Sequence, residues 1–309
     1  MAIGYTSTDA NLRSSFATLM KSFPEVRKVF FDEFKKYPVL YNAFCDVENS
    51  TKKTEKENSI GGRPIWTTKS EAAEYSFGDY AQGTEVDYTH LTFTDAFDVS
   101  KEMAEDNLWS KIMDSAKEMA RGGYAAVEDA AADILNNAFV AGSTGADGGQ
   151  LCSSTHNLIN SVSTGDNAET LALSVDGLKA LYTLADKIVN EAAIYVPCEY
   201  KCLIVPPELR QVAEELAGST LTPQNSNNAI NTYKNRITKI VVNPYLSSAT
   251  AWFMTSESLK KKGRMYWRVK PQFNQATDQY SDNLLYTARE RFSVGHTDWQ
   301  GIIGSTGAT

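Results

Sequence analysis

The chain has 309 residues, 42% of them hydrophobic and 22% charged, with a formal net charge of −8. This is an ordinary globular mix, enough to build a core in one large domain or two modest ones, and it excludes a disordered tail, a collagen-like repeat and a disulfide-built miniprotein. Net acidity argues against tight non-specific nucleic-acid binding, which rests on many Lys and Arg contacts to phosphate. No stretch approaches the ~18 apolar residues of a spanning helix, and the start, MAIGYTSTDANLR, lacks a basic-then-apolar leader, so no membrane association and no secretion are expected. The four cysteines, Cys45, Cys152, Cys198 and Cys202, are too scattered for a disulfide framework and are expected as free thiols of a reducing cytoplasm.

The first segment reads as an amphipathic arm. Ser7, Thr8 and Asp9 offer N-caps, Leu12, Phe16, Leu19, Met20 and Phe23 share one face, Pro24 interrupts, and Val26, Phe30, Phe31 and Phe34 resume before Tyr37-Pro38. Residues 46 to 87 are charged, turn-rich and poor in large apolar side chains, which predicts an extended projection or long hairpin. From Leu91, alternation of Leu91, Phe93, Phe97 and Val99 against Thr92, Thr94 and Asp98 predicts a half-buried strand.

The strongest periodicity follows. Trp109, Ile112, Met113, Ala116, Met119, Ala120, Val127, Ala131, Ile134, Leu135, Ala138 and Phe139 recur at three and four, predicting one helix from about Lys101 to Ala141, roughly 55–60 Å long. Gly122-Gly123 near its middle predicts a bend or a close helix contact. Beyond AGSTGADGGQ, short helices and strands interleave. A helix is predicted from Ser174 to Ala192, a buried strand over 201–206, and a helix from Pro207 to Gly218. Strands are predicted in ITKIVVNPYL, ATAWFMTS, RMYWRVKPQF and LLYTARERFSVG, where alternation sets Glu290 opposite Arg289 and Arg291.

Candidate chemistry is sparse. Cys152-x3-His156 lacks further donors for a metal and a third residue for a nucleophile, and Cys198-x3-Cys202 lies across a strand edge. Gly142 to Gly149 is glycine-rich but lacks the Gly-Lys-Ser/Thr of a phosphate loop and follows a helix instead of preceding one. Lys260, Lys261, Lys262, Arg264, Arg268 and Lys270 form the one basic cluster, read as solvated hairpin charges. No catalytic, metal or cofactor-binding residue is assigned, and no enzyme is expected.

The order of elements, arm, charged projection, long helix, α/β middle and late strands, resembles the Hong Kong 97-type major capsid proteins of tailed bacteriophages, in particular the Mu-like major head subunits. Four local stretches carry the likeness in the right order: LCSSTHN at Leu151 to Asn157, KCLIVPPELRQVAEEL, IVVNPYLSSATAWFM, and RERFSVGHTDWQGIIGSTG near the C-terminus. The resemblance covers most of 90 to 305 and weakens over the arm and projection.

The resemblance implies an α+β fold of the Hong Kong 97 type: an N-terminal arm at 1–45, an E-loop at 46–88, a peripheral domain with a spine helix at 89–142, a mainly axial domain at 143–282, and a closing strand and tail at 283–309. It implies a major head protein that assembles as hexamers and pentamers into an icosahedral shell of the virion, formed in the bacterial host cytoplasm around double-stranded DNA that it does not bind tightly. A separate scaffolding protein, a portal and a head-maturation protease are the implied partners. Met1 opening directly onto the arm fits a separate scaffold and argues against a large cleaved prosegment. Inter-subunit contacts are placed at Lys52, Lys53, Glu55, Lys56, Glu57, Arg63 and Glu85 in the E-loop, and at Phe16, Leu19 and Phe23 in the arm. The alternatives are an encapsulin-type bacterial compartment with the same fold, and a cytoplasmic α/β hydrolase using Cys152 or a serine.

Overall fold

The computed structural model describes residues 23–60, 62–63, 65–78, 82–100, 102–103, 109–141, 145–159, 161, 163–196, 198–221, 230–257, 262–278 and 283–307. Two compact units share the chain, Met1–Val39 with His90–Glu128 and Trp267–Ser293, and Leu40–Thr89 with Asp129–Tyr266 and Val294–Thr309. This partition differs from the expected boundaries, because residues 267–282 group with 90–128 and not with the rest of the axial part. The reason is pairing and burial: the second half of one long strand joins the first unit's sheet, and Phe273 is buried in its core.

In the first unit, α1 (Phe23–Lys36) lies beside α2 (Trp109–Asn136) and a sheet in the order β11 (Gly263–Thr277), β12 (Leu284–His296), β4 (Leu91–Val99). β12 runs antiparallel to β4 from Leu284↔Val99 to Phe292↔Leu91. Val26, Phe30, Ile112, Met119, Phe273 and Tyr286 close the core, with Phe30 stacked on Phe273 at 4.8 Å. Pro24 sits in the first turn of α1, where its missing N–H leaves nothing unpaired, and the arm before Phe23 lies outside the described residues. Arg121 Nε donates to Glu33 Oε1 at 3.2 Å and to the Tyr37 hydroxyl at 2.7 Å, tying α1 to α2.

The described part of the long helix is 28 residues, about 42 Å at 1.5 Å per residue, and its C-terminal end falls short of the one the periodicity predicts. Positions 101 and 104–108 lie outside the described residues. At the other end the helix stops at Asn136, five residues before Ala141, because Ala138 N reaches back only to Leu135 O and the Asn137 amide caps Asp133 O. The glycine pair marks a close helix contact: a Cβ on Gly123 would lie 3.4 Å from the Phe34 ring, whereas one on Gly122 would meet nothing.

The second unit is built on a five-stranded sheet ordered β7 (Ala168–Glu169), β13 (Ile302–Ser305), β10 (Trp252–Ser256), β8 (Tyr200–Val205), β9 (Lys239–Val242). β10 is antiparallel to both neighbours, and the outer pairings are parallel. Its core packs Leu203, Val205, Trp252, Met254 and Ile303 against Leu178 and Leu181 of α3 (Val175–Ala185). The Ser174 hydroxyl accepts from Gly177 N and starts α3 as expected. The helix ends at Ala185, not Ala192: Lys187 N and Ile188 N reach back only to Leu184 O and Ala185 O, and beyond them Asn190 Oδ1 accepts from the amides of Ala192 and Ile194 in a turn closed by the Val189–Tyr195 bridge. A helical turn at Pro207–Leu209 leads into α4 (Arg210–Gly218).

Candidate functional site

The feature that stands apart from both cores is a hairpin of the second unit, β2 (Thr54–Ile60) paired antiparallel with β3 (Gln82–Thr89). Its exposed positions carry charges, while Tyr88 on the same ladder is buried against the Tyr266 ring. Lys56 stands opposite Asp87, lies 3.4 Å from its carboxylate and pairs with Glu85. Lys52 Nζ lies 3.0 Å from Glu55 Oε2. The Lys56 pairs are solvent-exposed, and each is worth only ~0–1 kcal/mol.

At the hairpin's base the arrangement is different. Glu57 accepts hydrogen bonds from the Tyr266 hydroxyl and, at 2.6 Å, from Thr297 Oγ1, while Arg264 Nε lies 3.4 Å from its carboxylate. Thr297 Oγ1 uses its one hydrogen in the bond it donates to Glu57, so the 2.5 Å contact with Tyr88 is one in which the tyrosine donates. Burial pushes the Tyr88 hydroxyl up, which keeps it a donor. Ser59 Oγ adds a 2.8 Å bond to Asp298. Glu57, placed by the sequence among the inter-subunit contacts, is thus engaged within its own chain as the anchor of the hairpin.

Beyond the base, Arg63 reaches Gly78 O at 3.4 Å and Thr67 Oγ1 meets Ser76 Oγ at 3.0 Å, so the two sides of the loop are clasped across their polar groups. The apolar side chains face solvent. Trp66 is 95% exposed, Phe77 96%, Tyr75 77% and Ile65 69%. Lys69 Nζ lies 4.4 Å from the centre of the Tyr75 ring. Four large apolar side chains within thirteen residues form the kind of patch that marks an interaction site, and the polar composition of the segment as a whole hides it. The signal available in the sequence was the four side chains themselves, set in a stretch with no other apolar partners.

Of the other sequence-placed contacts, Lys53 is exposed, Phe23 stacks on Phe273 at 5.9 Å within the first unit, and Phe16 and Leu19 lie outside the described residues. The Cys152–His156 pair is not brought together as a nucleophile. Cys152 is fully buried and burial pushes its thiol far up, so no thiolate forms. His156 is also buried, with Nδ1 2.5 Å from Asp147 Oδ2, Nε2 2.9 Å from Asn167 Oδ1, and its ring stacked on Trp299. Among the described residues no cluster of His, Cys, Asp and Glu is arranged to hold a metal ion, and no helix is long and apolar enough to cross a membrane.

A long helix beside a strand pair, a five-stranded sheet with flanking helices, and a projecting hairpin with an apolar tip define a class. The fold is similar to the procapsid protein of bacteriophage JBD30 (15% identity, TM-score 0.50, 94% of this chain and 75% of that one) and to the capsid protein of cyanophage P-SCSP1u (9%, 0.54, 87% and 88%). It is similar as well to a virus-like particle from Pyrococcus furiosus (11%, 0.51, 92% and 98%). The class is that of capsid shell proteins with the Hong Kong 97-type fold. A model of the phage capsid protein family matches residues 83–305, and the chain belongs to that family. No curated protein matches the chain. The matched span starts within β3, so α1, β2 and the hairpin tip lie outside it.

Proposed function

We propose that the chain is the major head subunit of a tailed phage, assembling as hexamers and pentamers into a closed icosahedral shell around double-stranded DNA. The observation that carries this is the hairpin tip, where Trp66 and Phe77 are almost wholly exposed. Burying such side chains contributes about 1.5–3 kcal/mol each, and a neighbouring subunit is where a shell protein buries them. The hairpin serves as the E-loop, anchored at Glu57 and adhesive at its tip, with Lys52, Lys53, Lys56 and Glu85 on the ladder available for rim contacts in trans. The arm, E-loop, peripheral, axial and closing parts keep their assigned roles, with 267–282 serving the peripheral part.

The charge of −8 supports a container whose wall repels its packaged DNA weakly and binds it nowhere tightly. A scaffolding protein, a portal and a maturation protease complete the assembly, which takes place in the host cytoplasm. The reading assigns the chain no catalytic role. A compartment shell of the encapsulin type is the second reading, supported by the likeness to the Pyrococcus furiosus particle.

The test is sedimentation of the purified protein, alone and co-produced with the neighbouring gene products of its genome, with electron microscopy of any fast fraction. Closed shells support the assignment, and DNA or protein content separates head from compartment. A strict monomer of 34.1 kDa under all of these conditions overturns it.

A further inference from the structure

Two acidic residues share one face of the strand pair β4 and β12. Glu290 stands opposite Phe93 and Asp95 opposite Ala288, which makes the two acids diagonal neighbours, roughly 7–8 Å apart at the backbone. Leu284, Tyr286 and Phe292 on the same face of β12 are buried, so the alternation calls for apolar side chains where the acids stand. Glu290 is 4% exposed, and neither of its carboxyl oxygens has a hydrogen-bond partner among the described residues. Burial pushes it up to about 7. An unpaired buried carboxyl is among the more costly arrangements a fold can keep.

Both acids line a groove of about 150 Å³ lying wholly within the first unit. Phe30, Phe34 and Met119 give it apolar walls, and it stays open because Gly122, on α2, puts no side chain into it. Glu290 is its buried acid and Asp95 its exposed one, with Oδ1 of Asp95 accepting from Ala96 N at 2.9 Å. Arg289 borders the groove from the alternate side of β12. A more open cavity continues past Asp95 and Met119, but its acids Asp114 and Glu118 are already paired with Lys117 and Arg121.

An apolar groove with a buried acid and an exposed one suits a short methylene chain that carries an ammonium group at each end. We propose that this groove is a binding site for a small aliphatic diamine. The inner ammonium pairs with Glu290 beside the faces of Phe30 and Phe34, the methylenes lie along Met119, and the outer ammonium reaches Asp95 at the surface. A bound diamine supplies the hydrogen-bond donors that the protein itself withholds from Glu290, which accounts for an acid kept at an apolar position. A neutral ligand of the same shape leaves that carboxyl unpaired and is rejected for the same reason. The site belongs to the first unit alone and goes beyond the assembly reading.

The experiment is titration calorimetry of the purified full chain with diaminobutane, butylamine and butanediol at pH 8, where Glu290 is ionised and both amines are charged. Wild type is expected to bind diaminobutane at a single site, about three- to fivefold more tightly than butylamine, and butanediol not at all. Glu290→Gln is expected to weaken both amines by at least about tenfold, and Asp95→Asn to erase the advantage of the second ammonium. Both variants are expected to unfold at or above the wild-type temperature; if Glu290→Gln does not fold, Asp95→Asn and the butanediol comparison decide. The inference is overturned by a wild type that binds no diamine, by a Glu290→Gln protein that binds it as wild type does, by butanediol bound as well as diaminobutane, or by a preference for the diamine that survives Asp95→Asn. None of these outcomes bears on shell assembly.

Discussion

His156 and Trp299 stand face to face, ring centroids 4.2 Å apart and planes 5° from parallel, which joins the loop after the long helix to the segment before the last strand. Both imidazole nitrogens face oxygen acceptors. Asn167 spends its Nδ2 on the carbonyls of Leu151, Trp299 and Ile302, so its Oδ1 must receive a proton from Nε2, leaving Nδ1 for the Asp147 carboxylate. Burial pushes the Asp147 carboxyl up, but the hydrogen bond and charge of His156 and the Gly149 amide outweigh it, and the group ends below its ordinary value.

A carboxyl lowered by folding contributes stability that is present above its unfolded value near 4 and is lost as pH falls through the folded value. Asp147→Asn is therefore expected to lower stability at pH 7 by ~1–3 kcal/mol and to show no further loss from this group in acid. Urea unfolding at pH 7 and pH 3 checks both. Gly165 presses so closely on the Trp299 ring that a Cβ there would overlap it, and Gly165→Ala is expected to cost a similar amount.

His296 titrates in a second window. Burial lowers it to about 4, so the neutral form is the folded one. A base depressed in this way stabilises the fold fully above its unfolded value near 6.5, and the contribution fades as pH falls from there toward 4. The total is about 3 kcal/mol. His296→Gln is expected to remove that slope between pH 6.5 and 4, measured as unfolding free energy against pH, and a variant with the wild-type slope contradicts the assignment.

The hairpin's anchor is separable from its tip. Glu57→Ala leaves the Tyr266 and Thr297 hydroxyls and Arg264 without their shared acceptor, and is expected to cost ~1–3 kcal/mol with faster amide exchange across 54–60 and 82–89. Trp66→Ala and Phe77→Ala touch no core and are expected to leave the subunit's unfolding temperature unchanged while suppressing shell formation. Parallel melting and sedimentation of the three variants distinguish the two roles.

Glycine in the long helix offers a stabilising change. Nothing lies within 4 Å of a Cβ added at Gly122, so Gly122→Ala is expected to raise subunit stability by about 0.5–1 kcal/mol. Gly123→Leu is expected to destabilise, since the Phe34 ring already occupies the space beyond the first carbon. Thermal unfolding of the pair tests whether the doublet serves one close contact, as the structure has it, or a bend.

Much of the fold was legible because local pattern and tertiary demand agree. The alternation from Leu91, the 201–206 strand, the Pro207-initiated helix and the period of the long helix all appear close to where the residues put them. The ends were not legible: the Asn137 side chain caps the end of α2, and Asn190 binds backbone amides in a turn where the pattern past α3 still reads as helix. The candidate site was legible in outline only. A charged projection was evident, and its lysines and glutamates drew attention as contacts. Yet whether Glu57 faces a neighbour or its own Tyr266 depends on a contact 209 residues away along the chain.

The sequence alone determined the elements, their order and the family likeness, since these follow from periodicity and short-range chemistry. Tertiary structure decided which polar groups are spent and which are left over. Glu57 lies among partners more than 200 residues away that satisfy it, Glu290 is buried without a hydrogen-bond partner among the described residues, and Trp66 and Phe77 lie where no other part of the described chain covers them. Satisfaction and exposure are properties of distances between segments far apart in the chain, and no local pattern encodes those distances.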